Sequence, residues 1–350
     1  MVRSLTDAEG RVIAVLLGAA TANERERLRR VGTPRSTYHA ARRRAYAEGW
    51  LRDRYVPDPG YFDYAVVTFA VLRPFADRVD DLADRWSRDT ANVLSWTSAQ
   101  VALGVFFHRD QAAATTFADQ VTDAKLASAV TLLAADANGP TIPVYFDYEG
   151  LWTHMTHLEG NLAYPTGLGG RRADGPEGPT KLTPHQRWAA TELVRRPFEG
   201  EEHGRAGHLV GPFGLPFSQQ NALRRGWVTH RVFVEPSVVP PFQGRSADQL
   251  VLITGSLRTS ARPERLFAAL TRECRVFPFL FVASHGRLLL GALGRGTAGG
   301  ATADTTERRP VMATLQESLE GIEVVQEPVA SFRTVVDHRY DRLLLAKGRA

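Results

Sequence analysis

Two halves of this chain follow the same order of sequence signals, and that repetition limits the architecture more than any single motif does. Leu5-Thr6-Asp7 opens one amphipathic run and Leu182-Thr183-Pro184 opens another. Each is followed by a Gly-Trp pair, within Glu48-Gly49-Trp50-Leu51-Arg52 and within Arg225-Gly226-Trp227-Val228-Thr229. A hydrophobic strand comes next in both, at 66–72 and 250–257, then a helix, two strands, a helix and a strand. A repeated unit sets the fold, so self-similarity is weighed before local pattern. It predicts an α+β protein with two winged helix-turn-helix domains, each followed by a ferredoxin-like β-α-β-β-α-β domain. The expected boundaries are 1–62 for the first winged helix and 63–163 for the first α/β unit. A linker rich in glycine and proline spans 164–181. A degenerate second winged helix covers 182–245, and the second α/β unit 246–350.

The chain has 350 residues, which favours several domains over one. Its 43% hydrophobic and 23% charged residues are those of a globular protein, and no apolar run is long enough to span a membrane. The first residues do not read as a signal peptide, so a cytoplasmic, nucleoid-associated location is expected. The single cysteine, Cys274, excludes an intramolecular disulfide. Net charge is +5, and residues 1–58 alone carry twelve arginines against seven acidic groups. The excess positive charge therefore sits on the first helical unit, which points to a polyanionic partner.

That unit reads as three helices and a wing. Thr6 and Glu9 have capping-box spacing. A second helix runs through Glu24 to Arg30. Thr33 is the expected cap of a third helix that begins with Pro34 and ends before Gly49. In a helix-turn-helix the start of this helix meets base edges in the major groove. Thr33, Arg35, Ser36, Thr37, Tyr38 and His39 occupy it, and arginine, serine and threonine are residues that bond bases or phosphates there. Arg42, Arg43 and Arg44 follow. Successive helical residues lie about 100° apart, so these three cannot all face one groove. Arg52 and Arg54 alternate along the wing strand and share a face, with a hairpin turn expected at 57–60. A solvated basic face is the plain alternative for this surface. In the second half the third helix offers Gln219, Gln220, Asn221, Arg224 and Arg225; glutamine and asparagine can pair with adenine. The alternative there is a domain kept for packing.

Within the α/β units the apolar spacing predicts helices over 75–86, 110–123, 263–273 and 310–320. A second wing is expected over 227–235 with its turn at 236–244. His154, His157 and Glu159 are close enough for a metal site to be considered, but no matching ligand cluster accompanies them, and no metal is expected. No phosphate loop, nucleophile elbow or dinucleotide fingerprint is present. The expectation is a chain that is not an enzyme and needs no cofactor.

The order of elements resembles the Lrp/AsnC family of transcription regulators. The residues that carry the resemblance are Leu5-Thr6-Asp7, Thr33-Pro34-Arg35-Ser36-Thr37 and Ala47-Glu48-Gly49-Trp50-Leu51. It implies sequence-specific binding of double-stranded DNA, a small-molecule effector, and a homodimer or higher oligomer formed through the α/β units. With two copies in one chain it implies a fused pseudo-dimer. The same scaffold also resembles siroheme decarboxylases, paired Lrp-type units that act on a tetrapyrrole. A scaffold that binds a protein partner is the remaining alternative.

Overall fold

Thr6 and Glu9 start the first helix by capping each other. The computed structural model describes residues 6–18, 24–47, 53–57, 62–136, 190–191, 233–238, 249–270, 278–294, 305–336, 339 and 341–345. Within them the protein is mixed α+β, with antiparallel pairing in every sheet. The Thr6 N–H donates to the Glu9 carboxylate at 2.9 Å, and the Glu9 N–H donates to Thr6 Oγ1 at 3.3 Å. These bonds satisfy two of the donors that a helix start leaves open. Helix α1 (Asp7–Gly18) buries Val12 and Val15 against α2 (Glu24–Val31) and α3 (Arg35–Ala47). Gly32, with φ of 67°, makes the tight turn between α2 and α3, a conformation that a side chain would strain.

Strand β1 (Asp53–Pro57) corrects the expectation of a wing hairpin. Among the described residues its partner is not a returning strand but β6 (Phe233–Val238) from the second half, with Asp53 opposite Val238 and Pro57 opposite Phe233. Pro236, which the sequence places in a turn, lies within β6 instead. It falls at the break in register between Arg54 and Val56, where a missing N–H costs no ladder bond.

The first α/β unit comprises β2 (Val66–Pro74), α4 (Val79–Arg88), β3 (Asn92–Thr97), β4 (Ala102–His108), α5 (Gln111–Asp123) and β5 (Ala127–Asp136). The second comprises β7 (Gln249–Leu257), α6 (Pro263–Ala268), β8 (Pro278–Ser284), β9 (Arg287–Gly294), α7 (Thr305–Ser318) and β10 (Leu319–Pro328). The two sheets share one strand order, β3-β4-β2-β5 and β8-β9-β7-β10. The helix predicted from Phe75 starts later. Phe75 is extended and 43% exposed, a 3-10 turn covers 76–78, and only from Val79 does helical spacing bury Leu82, Ala83 and Trp86. The helix predicted from Pro310 starts earlier, at Thr305, because Glu307-Arg308-Arg309 are strong helix formers that carry a turn ahead of the proline.

Each sheet packs a helix-facing core. In the first, Ala70, Leu72, Ala102 and Phe106 meet Leu82, Trp86, Phe117 and Val121. In the second, Ile253, Phe281, Leu288 and Leu290 meet Leu266, Phe267 and Leu315. The opposite faces are buried too, through Val67, Phe69 and Val105 in one sheet and Leu252, Val282 and Leu289 in the other. The sheets meet at β5 and β8, where Ser284 Oγ donates to the Ala134 carbonyl at 2.8 Å. Arg73 and Glu323 add an ion pair at 2.6 Å.

The end of the chain crosses back to the first unit. Strand β11 (Arg333–Val336) belongs by sequence to the second half, yet it pairs with β3 and adds a fifth strand to the first sheet. Past it, the Arg339 N–H donates to the Val93 carbonyl at 2.7 Å. The Arg342 guanidinium donates to the carbonyls of Ser87, Asp89 and Asn92 at 2.8, 2.7 and 2.7 Å, capping the C-terminus of α4. Helix α8 (Asp341–Leu345) lies against β1.

Candidate nucleic-acid interface

Helix α3 has one buried and one exposed side, and its sequence decides which residue goes where. Tyr38, Ala41 and Ala45 repeat at helical spacing and are 0%, 5% and 2% exposed. Arg35, Ser36, Thr37, Ala40, Arg43 and Arg44 lie on the exposed side, with His39 and Arg42 half-buried at its margins. Tyr38 therefore leaves the set of base-reading candidates. It is a core residue between the helices, because an aromatic ring at this position of the period has only the α1–α3 interface to enter. Its hydroxyl has no hydrogen-bond partner among the described residues.

Thr33 does not cap α3 as its sequence position predicts. The helix begins at Arg35, the Tyr38 N–H returns to the Pro34 carbonyl at 3.0 Å, and Pro34 thus takes the cap position one residue later. Thr33 Oγ1 is buried and has no hydrogen-bond partner among the described residues.

Arg44 is engaged within the fold. It donates to Glu9 Oε1 at 2.8 Å, and Glu9 is 3% exposed. The same carboxylate caps α1 through its other oxygen, so Arg44 neutralises a buried charge that would otherwise be costly. Its position in the basic run Arg42-Arg43-Arg44 conceals this role, and the distance of 35 residues to Glu9 gives no sequence signal for it.

At the other end of α3 three polar groups converge. Glu24, in the first turn of α2, forms an ion pair with Arg35 at 2.9 Å and lies 3.4 Å from His39 Nε2. Arg35 Nε is also 3.4 Å from His39 Nε2, which accepts this bond when the ring is neutral. All three are solvent-accessible, with Arg35 72% exposed, so the cluster is a surface arrangement. Sequence reasoning misses Glu24, because an acidic residue opening a helix reads as an ordinary dipole partner. Further along α2, Glu26 pairs with Arg29 and Arg30 at 2.8 Å each. Hydrogen bonds from Arg29, then Arg30, hold its carboxyl down at about 2. Positive charge on this face is thus partly countered in place, by Glu24 and Glu26 on α2 and by Glu9 on α1.

The remaining candidates are placed less fully. Arg54 lies on β1, whose backbone pairs it with Ser237 of β6. Arg52, Gln219, Gln220, Asn221, Arg224 and Arg225 lie outside the described residues, as do His154, His157 and Glu159. Among the described residues no three His, Cys, Asp or Glu side chains gather in the manner of a metal site. No helix among them is long and apolar enough to cross a membrane.

No family model matches the sequence, and no curated protein matches it. Solved structures do show likeness. One is siroheme decarboxylase NirDL in complex with an iron-uroporphyrin III analogue, 8% identical with a TM-score of 0.49, covering 97% of this chain and 99% of that one. A transcriptional regulator from Neisseria meningitidis in complex with L-Met is 16% identical with a TM-score of 0.32, covering 38% of this chain and 90% of that one. An AsnC family transcriptional regulator from Agrobacterium tumefaciens is 14% identical with a TM-score of 0.31, covering 37% and 90%. The expectation that the chain is not an enzyme is corrected: siroheme decarboxylase NirDL, an enzyme, is among the solved structures it is similar to. The chain is thus similar to Lrp/AsnC-type regulators over part of its length and to siroheme decarboxylase NirDL over nearly all of it.

Proposed function

We propose that the chain binds double-stranded DNA through its first helical unit, as a regulator of Lrp/AsnC type whose two halves act as a fused, duplicated pseudo-dimer. The observation that carries this reading is the division of α3, which buries Tyr38, Ala41 and Ala45 and leaves Arg35, Ser36, Thr37 and Arg43 on its exposed side. A helix held by its apolar side, entered through a tight glycine turn and bearing arginine and hydroxyl groups outward, has the chemistry of major-groove recognition. The β1–β6 ribbon supports the pseudo-dimer, because it joins the segment after the first helical unit to one from the second half of the chain. Fusion holds the second half at high effective concentration once the first has docked. A small-molecule effector and assembly through the α/β units belong to the same reading.

The test is binding of the purified chain to a randomised duplex pool, at low and at near-physiological salt. Enrichment of a sequence and a linear fall of log affinity with log salt are expected, because bound phosphates release counterions. The double variant Arg35→Ala/Arg43→Ala should weaken binding and reduce the salt slope by about one for each phosphate no longer neutralised. Arg44 is unsuitable for that variant, since its removal disturbs Glu9 and the fold. No binding to any duplex would overturn the reading.

A second reading is an enzyme acting on a tetrapyrrole with the same scaffold. What favours it is that arginines of α3 have partners within the chain, Arg44 with buried Glu9 among them, so the basic run is not wholly available to phosphates. Visible absorption from a pigment retained on purification, or on titration with siroheme, together with silence towards duplex DNA, would replace the first reading with this one.

A further inference from the structure

We propose that Glu24 is a specificity-determining residue of the α3 surface, which with Arg35 selects a G·C-bearing base step and weakens binding to bare phosphate. The inference rests on the DNA reading above. Its basis is the convergence of three groups at the start of α3, with Arg35 at 2.9 Å and His39 at 3.4 Å from one Glu24 oxygen. The place of Glu24 in the first turn of α2 suits a carboxylate through the helix dipole, but does not require it to reach Arg35 on α3. Glu9 and Glu26 show what structural carboxylates look like in this domain. The first is buried and caps a helix, and the second pairs along its own helix. Glu24 does neither. It reaches across from α2 to the first turn of α3, where base edges are met.

The physical consequence follows from what each ligand offers. An exposed ion pair is weak, so Glu24 does not lock Arg35 in place; it competes for it. A phosphate oxygen that displaces Glu24 exchanges one anion for another and brings two negative charges together. Binding to the sugar-phosphate backbone is therefore disfavoured at this end of the helix. A G·C pair in the major groove presents a different surface. Guanine O6 and N7 accept both N–H groups of an arginine in one plane, and the cytosine amino group donates to a carboxylate. Both members of the Arg35–Glu24 pair then find partners, and neither charge is left facing its like.

The experiment compares the wild-type chain with Glu24→Gln, Arg35→Ala and the double variant. Each is measured against the sequence that the wild type enriches from a random pool and against random duplex. Glutamine keeps the size and the helix, and circular dichroism verifies the fold of each variant. Glu24→Gln is expected to raise affinity for random duplex and to lower the ratio of specific to random affinity about tenfold, the loss expected for one base-edge pairing. In the Arg35→Ala background the same substitution should lower that ratio by clearly less, because the competition for Arg35 is gone. An equal change in both backgrounds would show that Glu24 acts as bulk charge, and no change in either would show that it does not read DNA; each overturns the proposal while leaving the DNA reading intact. A wild-type chain that binds no duplex overturns both.

Discussion

The two α/β units share a strand order and differ in how the helix side of each sheet is filled and in what the rest of the chain adds to it. In the first sheet Ala70 stands opposite Gly104, and in the second Ile253 stands opposite Leu290. Small strand residues in the first unit leave room for Trp86, whose ring meets Phe106 edge-to-face at 5.4 Å. Large strand residues in the second take that space themselves, and the helix contributes Leu266 and Phe267. A Cβ on Gly104 would lie 2.5 Å from the Phe106 ring and 3.1 Å from that of Trp86, so the exchange of volume between strand and helix is tight. The first unit also receives β11 and the Arg342 cap from the far end of the chain. One topology is therefore stabilised in two ways, by an aromatic cluster around Trp86 with an imported strand and by large aliphatic strand residues packed with Phe267 and Phe281.

The largest expected effect tests the aromatic core. Trp86→Ala should cost about 3–5 kcal/mol in a denaturant titration, as truncation of a fully buried aromatic does. A cost under about 1 kcal/mol would mean that the neighbours refill the space and that the contrast with the second unit is superficial. Next comes a comparison of two arginines that serve helix ends. Arg342→Ala removes donors from three carbonyls of the first unit and should cost about 2 kcal/mol. Arg258 donates to the Gln316 carbonyl near the end of α7 and pairs with Glu320 on the surface, so Arg258→Ala should cost under about 1 kcal/mol. Equal losses at the two positions would remove the asymmetry between the units.

The smallest effect is a pH dependence confined to the first unit. His108 ends β4 at 6% exposure, its Nε2 lacks a hydrogen-bond partner among the described residues, and burial lowers its pKa against the opposing pull of Asp89 and Asp110. The unfolded chain then binds the proton first as pH falls. Stability should be highest above about pH 7 and should decline as pH drops through the ordinary histidine value near 6.5. His108→Phe should flatten that decline, as read by thermal melting across the range. An unchanged profile would assign the decline to other groups.

Most of the strands and helices are legible in the sequence because their apolar spacing is regular and their ends carry recognisable residues. Asp110 caps α5 by accepting from the Ala113 N–H, and Thr6 with Glu9 behaves as its spacing predicts. What cannot be read is pairing at a distance. A strand such as β1 carries no mark of whether its partner is its own hairpin or a segment almost two hundred residues away, because backbone groups pair without regard to side-chain identity. The same holds for β11. The candidate site is legible as a basic helix, but the reading of its first turn puts Tyr38 on the base-facing side; the 3.6-residue period shared by Tyr38, Ala41 and Ala45 is the signal that assigns it to the core. The partners of Arg44 and Arg35 are not legible, since ion pairs between helices depend on packing angles that sequence spacing leaves open.

The return of β11 to the first sheet also orders events in time. Strand β3 leaves the ribosome more than two hundred residues before its outer neighbour. At usual elongation rates that is roughly ten to fifty seconds. Throughout this interval the first unit has a sheet edge with unpaired backbone groups, the kind of surface that recruits other strands. That edge closes only after the second α/β unit and Arg333–Val336 have been made. A product cut short before Arg333 would carry the whole first unit and still present an open edge, marking it for the cell's quality control.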